Sequence, residues 1–203
     1  MVNIKAFFTS CVLIILIMAN ANCQNMANKT FPEDLTEEIT KALSFFPELD
    51  DYSIDFVYKK QLKNCVMQAQ PKMKTFFAKK EKRHYKVLIS KNLSMNDTTM
   101  IVTQLPQEIL VGWFAHELGH IMDYKERTAL NMIGFGFKYL TSTPFLKRSE
   151  RKADALAAKQ GMGGHLIKTK RYILFNSKFT KEYKAKIKDL YPSPEDILAL
   201  AEE

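Results

Sequence analysis

Three cysteines are all that the 203 residues contain, and Cys11 lies in an N-terminal apolar stretch, which leaves Cys23 and Cys65 for the rest of the chain. Two thiols cannot build a disulfide framework, so the small stapled scaffolds are excluded and the fold must be held by its own core. The N-terminal apolar run, Ala6 to Met18, is shorter than the ~20 residues that a bilayer-crossing helix needs. No internal repeat or low-complexity segment is present, which excludes solenoids and arrays. What remains is 46% apolar content over 203 residues, the size and composition of one compact domain.

The first 23 residues place Lys5 before the apolar run and the small and polar residues Ala19 to Cys23 after it. That layout is the one of a secretory signal peptide, so the expected division is a signal over 1–23 and a single domain over 24–203, secreted or periplasmic. Cleavage after Ala21 or after Cys23 fits; acylation of Cys23 would place Asn22 where a small residue is expected. In a eukaryotic secretory pathway the sequons at Asn28, Asn92 and Asn96 would accept glycans.

The formal charge is +8, and much of it is local: Lys72, Lys74, Lys79, Lys80, Lys82, Arg83 and Lys86 crowd one stretch with Phe76, Phe77, His84 and Tyr85 between them. Nucleic-acid or anionic-membrane binding would use such a composition. A solvated, charged border of a strand is the simpler reading and the one adopted. The expected partner is a peptide or protein substrate, with no nucleic acid, no membrane after signal cleavage, and a monomeric chain.

Leu35, Ile39, Ala42, Leu43 and Phe46 recur at helical spacing between Pro32 and Pro47 and predict an amphipathic helix over 33–45. Strand formers predict strands over 53–60, 85–89 and 100–103. From Pro106 the chain turns helical, with Ile109, Leu110, Trp113, Phe114, Leu118, Ile121 and Met122 apolar enough to bury the helix in the domain centre. Residues 129–140 are apolar enough for a membrane surface or a substrate pocket, but core packing is the expectation. Pro144 is expected to end that element. Further helices are predicted from Lys147 to Lys159, closed by Gly161, Gly163 and Gly164, from Thr180 to Leu190, and after the cap Ser193-Pro194-Glu195-Asp196. The expected fold class is α+β: a small mixed sheet, an N-terminal helix, a buried helix carrying the chemistry and a C-terminal helical region.

That chemistry sits in His116-Glu117-Leu118-Gly119-His120. At ~100° per residue, histidines four apart differ by ~40° around the helix and ~6 Å along it, so both imidazoles can reach one cation. Glu117 lies ~100° from His116, beside the metal, where its carboxylate can take a proton from a metal-bound water. Gly119 fits a place where another backbone passes close.

Three protein ligands plus water is the usual catalytic count, and three carboxylates compete for the third place. Glu126 would be aimed away by a continuing helix. Asp123 lies on the right face, but its short side chain sits two turns along. Glu150 and Asp154, at i and i+4 in Ser149-Glu150-Arg151-Lys152-Ala153-Asp154-Ala155-Leu156-Ala157-Ala158, face the same way. Glu150 can then bind zinc while Asp154 accepts the second N–H of a ligating imidazole. The alanines around them permit close helix approach.

With His-Glu-x-x-His followed by Glu-x-x-Ala-Asp, residues 100–160 resemble the gluzincin zinc metallopeptidases, in particular the compact minigluzincins. The resemblance implies one zinc ion, ligands His116, His120 and Glu150, Glu117 as general base, and Asp154 in contact with a ligand. It also implies hydrolysis of peptide bonds, with substrate added as a strand to a sheet edge formed by 100–103 or 85–89. The family's oxyanion-stabilising residue has no distinctive motif here; His165, Arg171, Tyr172 and Tyr191 are the alternatives. Two rival functions use the same residues differently: a zinc- or peptide-binding module without catalysis, and a basic, nucleic-acid-associated protease.

Overall fold

A computed structural model describes residues 26–63, 65–94 and 99–202. The segment expected to be a signal peptide, with Cys11 and Cys23, and the Asn96 sequon lie outside the described residues. The architecture is mixed α and β, with a small mixed sheet and a predominantly helical second half.

The N-terminal helix forms as a 3-10 turn at Glu33–Leu35 leading into α1, Thr36–Leu43. Its predicted apolar face, Leu35, Ile39, Ala42 and Leu43, is buried, as is Phe46 beyond the helix end. The main sheet comprises β1 (Lys29–Thr30), β2 (Ile54–Lys59), β3 (Met67–Pro71) and β4 (Tyr85–Ser90), in the order β1-β2-β4-β3. The first two pairings are parallel and the last is antiparallel. Ile54 and Phe56 are buried and Val57 faces outward, the alternation of a half-covered sheet.

Two strand expectations change here. Residues 85–89 form an interior strand paired on both sides, so they offer no free edge. The 100–103 segment contributes only β6 (Thr99–Ile101), paired with β5 (Asn92–Ser94) in a separate two-stranded sheet, before a 3-10 turn at Val102–Gln104. The edge strands of the main sheet are β1 and β3, the latter not announced by the composition Met67-Gln-Ala-Gln-Pro71. Pro71, lacking an N–H, stands at its last residue, a position a sheet edge tolerates.

The second half is a stack of helices around α2, Gln107–Lys125. Fifteen of its residues are buried, from Ile109 to Tyr124. Then come α3 (Ala129–Thr141), α4 (Thr143–Ala157), α5 (Gly163–Phe175), α6 (Lys181–Leu190) and α7 (Pro194–Glu202). Pro144 does not close α3 but stands in the first turn of α4, whose cap is Ser142, so α4 starts before Lys147. The helix closes near Gly161 as expected: α4 ends at Ala157 and Gly161 takes a positive φ, 84°, at a kink, but Gly163 and Gly164 belong to the next helix, α5, which starts there. In α7 the Ser193 hydroxyl accepts from Asp196 N–H and the Asp196 carboxylate from Ser193 N–H, each at 3.0 Å, a reciprocal cap.

Two glycines set how closely the helices approach α2. A Cβ on Gly119 would lie 2.2 Å from the Ala153 carbonyl oxygen of α4, and one on Gly112 would lie 2.6 Å from the His165 carbonyl oxygen of α5. Both crossings therefore require glycine. Ala153 and Ala157 are fully buried, as the close approach of α4 demands. At the other end of α2, Arg83 departs from the solvated reading of the basic stretch. It is buried, and its guanidinium donates to the carbonyls of Tyr124 (3.3 Å) and Arg127 (2.9 Å), a cation at a helix C-terminus.

Core packing covers only one side of α3. Met132 and Phe135 are buried, but Leu130, Ile133, Phe137 and Leu140 are exposed, against expectation. The helix is apolar nearly all round, and sequence alone did not say which side another element would cover.

Candidate metal centre

Close crossing of α2 and α4 brings four charged or imidazole side chains to one buried point. His116, His120 and Glu150 each offer a ligand atom, and these atoms lie within 4.8 Å of one another. His116 Nε2 is 3.1 Å and His120 Nε2 3.5 Å from Glu150 Oε2. Both imidazoles and the carboxylate are buried. This is a cluster that could hold a metal ion, formed by the histidine pair and the helix-borne glutamate that spacing had selected.

Asp154 holds the orientation of His116. Its Oδ1 is 2.8 Å from His116 Nδ1, so Nδ1 carries the proton and donates, and the Nε2 lone pair is turned toward Glu150 and the cluster centre. The other carboxylate oxygen, Oδ2, accepts from Lys170 Nζ at 2.7 Å, and both groups are buried. The ammonium also lies 4.6 Å from the Tyr191 ring centroid, and that ring lies 5.3 Å from the His116 ring. Lys170 had no local signal in the sequence, since it comes from α5, the helix hidden behind the glycines.

Glu150 is fixed from the far side by Tyr139 of α3, whose hydroxyl donates to Glu150 Oε1. His120 is backed by Tyr124, stacked with ring centroids 5.8 Å apart. Tyr139 is a second residue that sequence reasoning missed; a lone tyrosine on an apolar helix has no distinguishing spacing.

Glu117 is also buried, on the side of α2 that meets the sheet edge, and its Oε2 accepts from the Ala69 backbone N–H of β3 at 2.5 Å. An edge N–H that the ladder does not use thus anchors one oxygen of the carboxylate. Burial pushes the Glu117 carboxyl above its ordinary range; the two histidines and the Ala69 N–H oppose this, while Glu150 adds to it.

The electrostatics of the cluster suit a cation. Burial alone would lower the His116 pKa, yet Asp154 and Glu150 raise it to about 10. Glu150 is held well below the usual carboxylate range, against its burial, by His120 and His116. Asp154 is likewise lowered, against burial, by Lys170 and His116. Three buried carboxylates meet a single buried ammonium, so in the absence of an ion the imidazole is drawn to take up a proton. A dication would supply positive charge at this point, taking the place of the proton on His116. The donor set fits a metal.

The competing carboxylates are elsewhere. Asp123 is buried but spent on Arg127 (2.8 Å) and Lys152 (2.5 Å), and Glu126 is exposed beyond the end of α2, 3.0 Å from Lys125. Of the alternatives for stabilising an oxyanion, Tyr191 adjoins His116, whereas Arg171 is exposed, Tyr172 packs on Phe179, and the half-buried His165 lies 3.4 Å from the Glu108 carbonyl at the start of α2.

An open cavity of about 710 Å³ bordered by Leu62, Ser90 and Phe179 shares Cys65, Val66, Tyr183 and Lys186 with a smaller one of about 50 Å³ that reaches His116 and Glu117. The buried centre therefore adjoins open space beside the N-terminal end of β3. Comparison with protein-family models, curated proteins and solved structures returned no match for this chain.

Proposed function

We propose that the chain is a zinc-dependent metallopeptidase of gluzincin type, acting on peptides or proteins outside the cytoplasm. The observation that carries this reading is the convergence of His116, His120 and Glu150 within 4.8 Å, with the carboxylate of Glu117 on the neighbouring helix position. Two imidazoles and one carboxylate are the donor set of catalytic zinc, which keeps a position open for water or substrate. The ion, when bound, supplies a Lewis acid at the scissile carbonyl and acidifies water.

The chain's own residues supply the rest. Ala69 N–H fixes one oxygen of Glu117, leaving the other to take a proton from the attacking water and later give it to the departing amine. Asp154, braced by Lys170, keeps His116 in the Nδ1–H tautomer throughout. Tyr139 restrains the carboxylate of Glu150 to one orientation. A substrate in extended form would lie along the outer side of β3, whose Ala69 N–H is already given to Glu117, or along the unpaired side of β6 in the 100–103 segment; the interior strand 85–89 offers no edge.

Cleavage of a mixed peptide library, with bound zinc measured in parallel, tests the reading against Glu117→Gln. Retained zinc with turnover reduced by about 10³-fold or more is expected. Full activity in the variant would remove Glu117 from the mechanism, and stoichiometric zinc without cleavage in either protein would favour a binding module.

A further inference from the structure

The described residues leave ten large apolar side chains exposed, and four of them, Leu130, Ile133, Phe137 and Leu140, stand on the one helix α3. Their exposures run from 51% to 84%. At ~100° per residue the four fall within an arc of ~80°, opposite the buried Met132 and Phe135 and the half-buried Tyr139. Open space lies over the helix as well: a Cβ on Gly134 or Gly136 would meet nothing within 4 Å. The face is a ridge rather than a groove, which suits insertion into a soft medium better than capture of a peptide.

Along this stretch of chain the charged side chains have one sign, with Arg127 and Lys147 paired to Asp123 and Asp189 from elsewhere and Lys138 and Arg148 left for a ligand. From Arg127 to Ser149 the chain carries Arg127, Lys138, Lys147 and Arg148 and no aspartate or glutamate. Lys138 and Arg148 both lie over the Phe145 ring at the start of α4, at 5.9 and 5.7 Å. The basic stretch is fastened to the base of the same helix, because Lys80 donates to the Glu126 carbonyl at 2.6 Å and Arg83 to the Arg127 carbonyl at 2.9 Å. That stretch itself exposes Met73 (76%) and Phe77 (73%) among Lys72, Lys74, Lys79 and Lys82. Six of the ten exposed apolar side chains thus belong to two neighbouring segments that are rich in Lys and Arg.

Among the described residues no helix is long and apolar enough to cross a membrane, and α3 has only 13 residues. A short helix with a wide apolar face and flanking cations lies in the plane of a bilayer interface, its apolar side chains among the acyl chains and its cations at anionic headgroups. We infer that α3, with the 73–82 segment beside it, is a docking surface for an anionic phospholipid membrane. The metal centre is not needed for this docking, so the two readings stand or fall separately.

Flotation of the full chain with vesicles of 70% phosphatidylcholine and 30% phosphatidylglycerol tests it, the comparison being the triple variant Leu130→Ser/Phe137→Ser/Leu140→Ser. Wild type is expected to partition about tenfold or more tightly than the variant. Binding should weaken about tenfold on pure phosphatidylcholine or in ~0.5 M salt. As a readout free of any folding defect, Phe137→Trp should blue-shift its added emission on contact with the anionic vesicles and stay unshifted with neutral ones. Equal flotation of wild type and triple variant would overturn the inference by assigning binding to the N-terminal apolar run. Lipid-free self-association abolished by the triple variant would overturn it in favour of a second copy on this face.

Discussion

The two ends of the α2–α4 contact carry the same kinds of side chain and put them to opposite uses. At the His116 end, α4 presents Glu150 and Asp154 to imidazoles, and the buried ammonium of Lys170 pairs with Asp154, leaving Glu150 to the histidines. At the Asp123 end the same helix presents Lys152, which joins Arg127 in neutralising Asp123, while Lys125 and Lys80 occupy Glu126 and its carbonyl. A carboxylate becomes available to a metal when it is buried and denied fixed cations of its own. Spacing on one helix cannot reveal that, because the decision is made by what the neighbouring helix brings.

The largest effect that would separate the two ends is on metal affinity. Glu150→Ala should weaken zinc binding by more than about 100-fold in competition with a chelator, while Glu126→Ala and Asp123→Ala leave it within a few-fold. Equal losses at Glu150 and Asp123 would erase the distinction. Next comes the contact itself: Gly119→Ala drives a methyl against the Ala153 carbonyl and should cost about 3 kcal/mol of unfolding free energy in denaturant titration.

Somewhat smaller is the contribution of the groups behind His116. Asp154→Asn should lower zinc affinity about 10- to 100-fold, and Lys170→Met should act in the same direction, with Lys170→Arg restoring part of it. No change in the Lys170→Met variant would reduce the lysine to a packing role.

The remaining effect is one of pH. In the metal-free protein His116 has a folded pKa raised to about 10 from 6.5, so its protonated form adds stability that is fully present below 6.5 and lost as pH rises through about 10. Thermal unfolding of chelator-treated protein should therefore lose stability across that window. Zinc-loaded protein lacks the proton and should not share this loss, so the Tm gap between the two widens toward alkaline pH.

Much of the centre was legible because its information is local. The i, i+4 spacing places His116 beside His120 and Glu150 beside Asp154, and a glycine inside a buried helix flags a close backbone at Gly119. What stayed hidden depends on contacts between distant segments. β3 lacks the β-branched residues of a strand and is held by its pairing with β4 and by the Ala69 N–H to Glu117. Helix α5 begins within the glycines that read as a stop, of which only Gly161 needs its conformational freedom, and Lys170 was lost with it. For α3 the apolar pattern has no polar side to mark the solvent, so the exposure of Leu130 and Phe137 emerged only from packing.

X-ray absorption at the zinc edge, on protein reconstituted with one equivalent of zinc, tests the central claim most directly. Two imidazole nitrogens and light-atom oxygen donors at about 2.0–2.2 Å are expected, with one imidazole lost in His116→Ala and in His120→Ala alike. A spectrum that either substitution leaves unchanged, or a sulfur donor from Cys65, would contradict it.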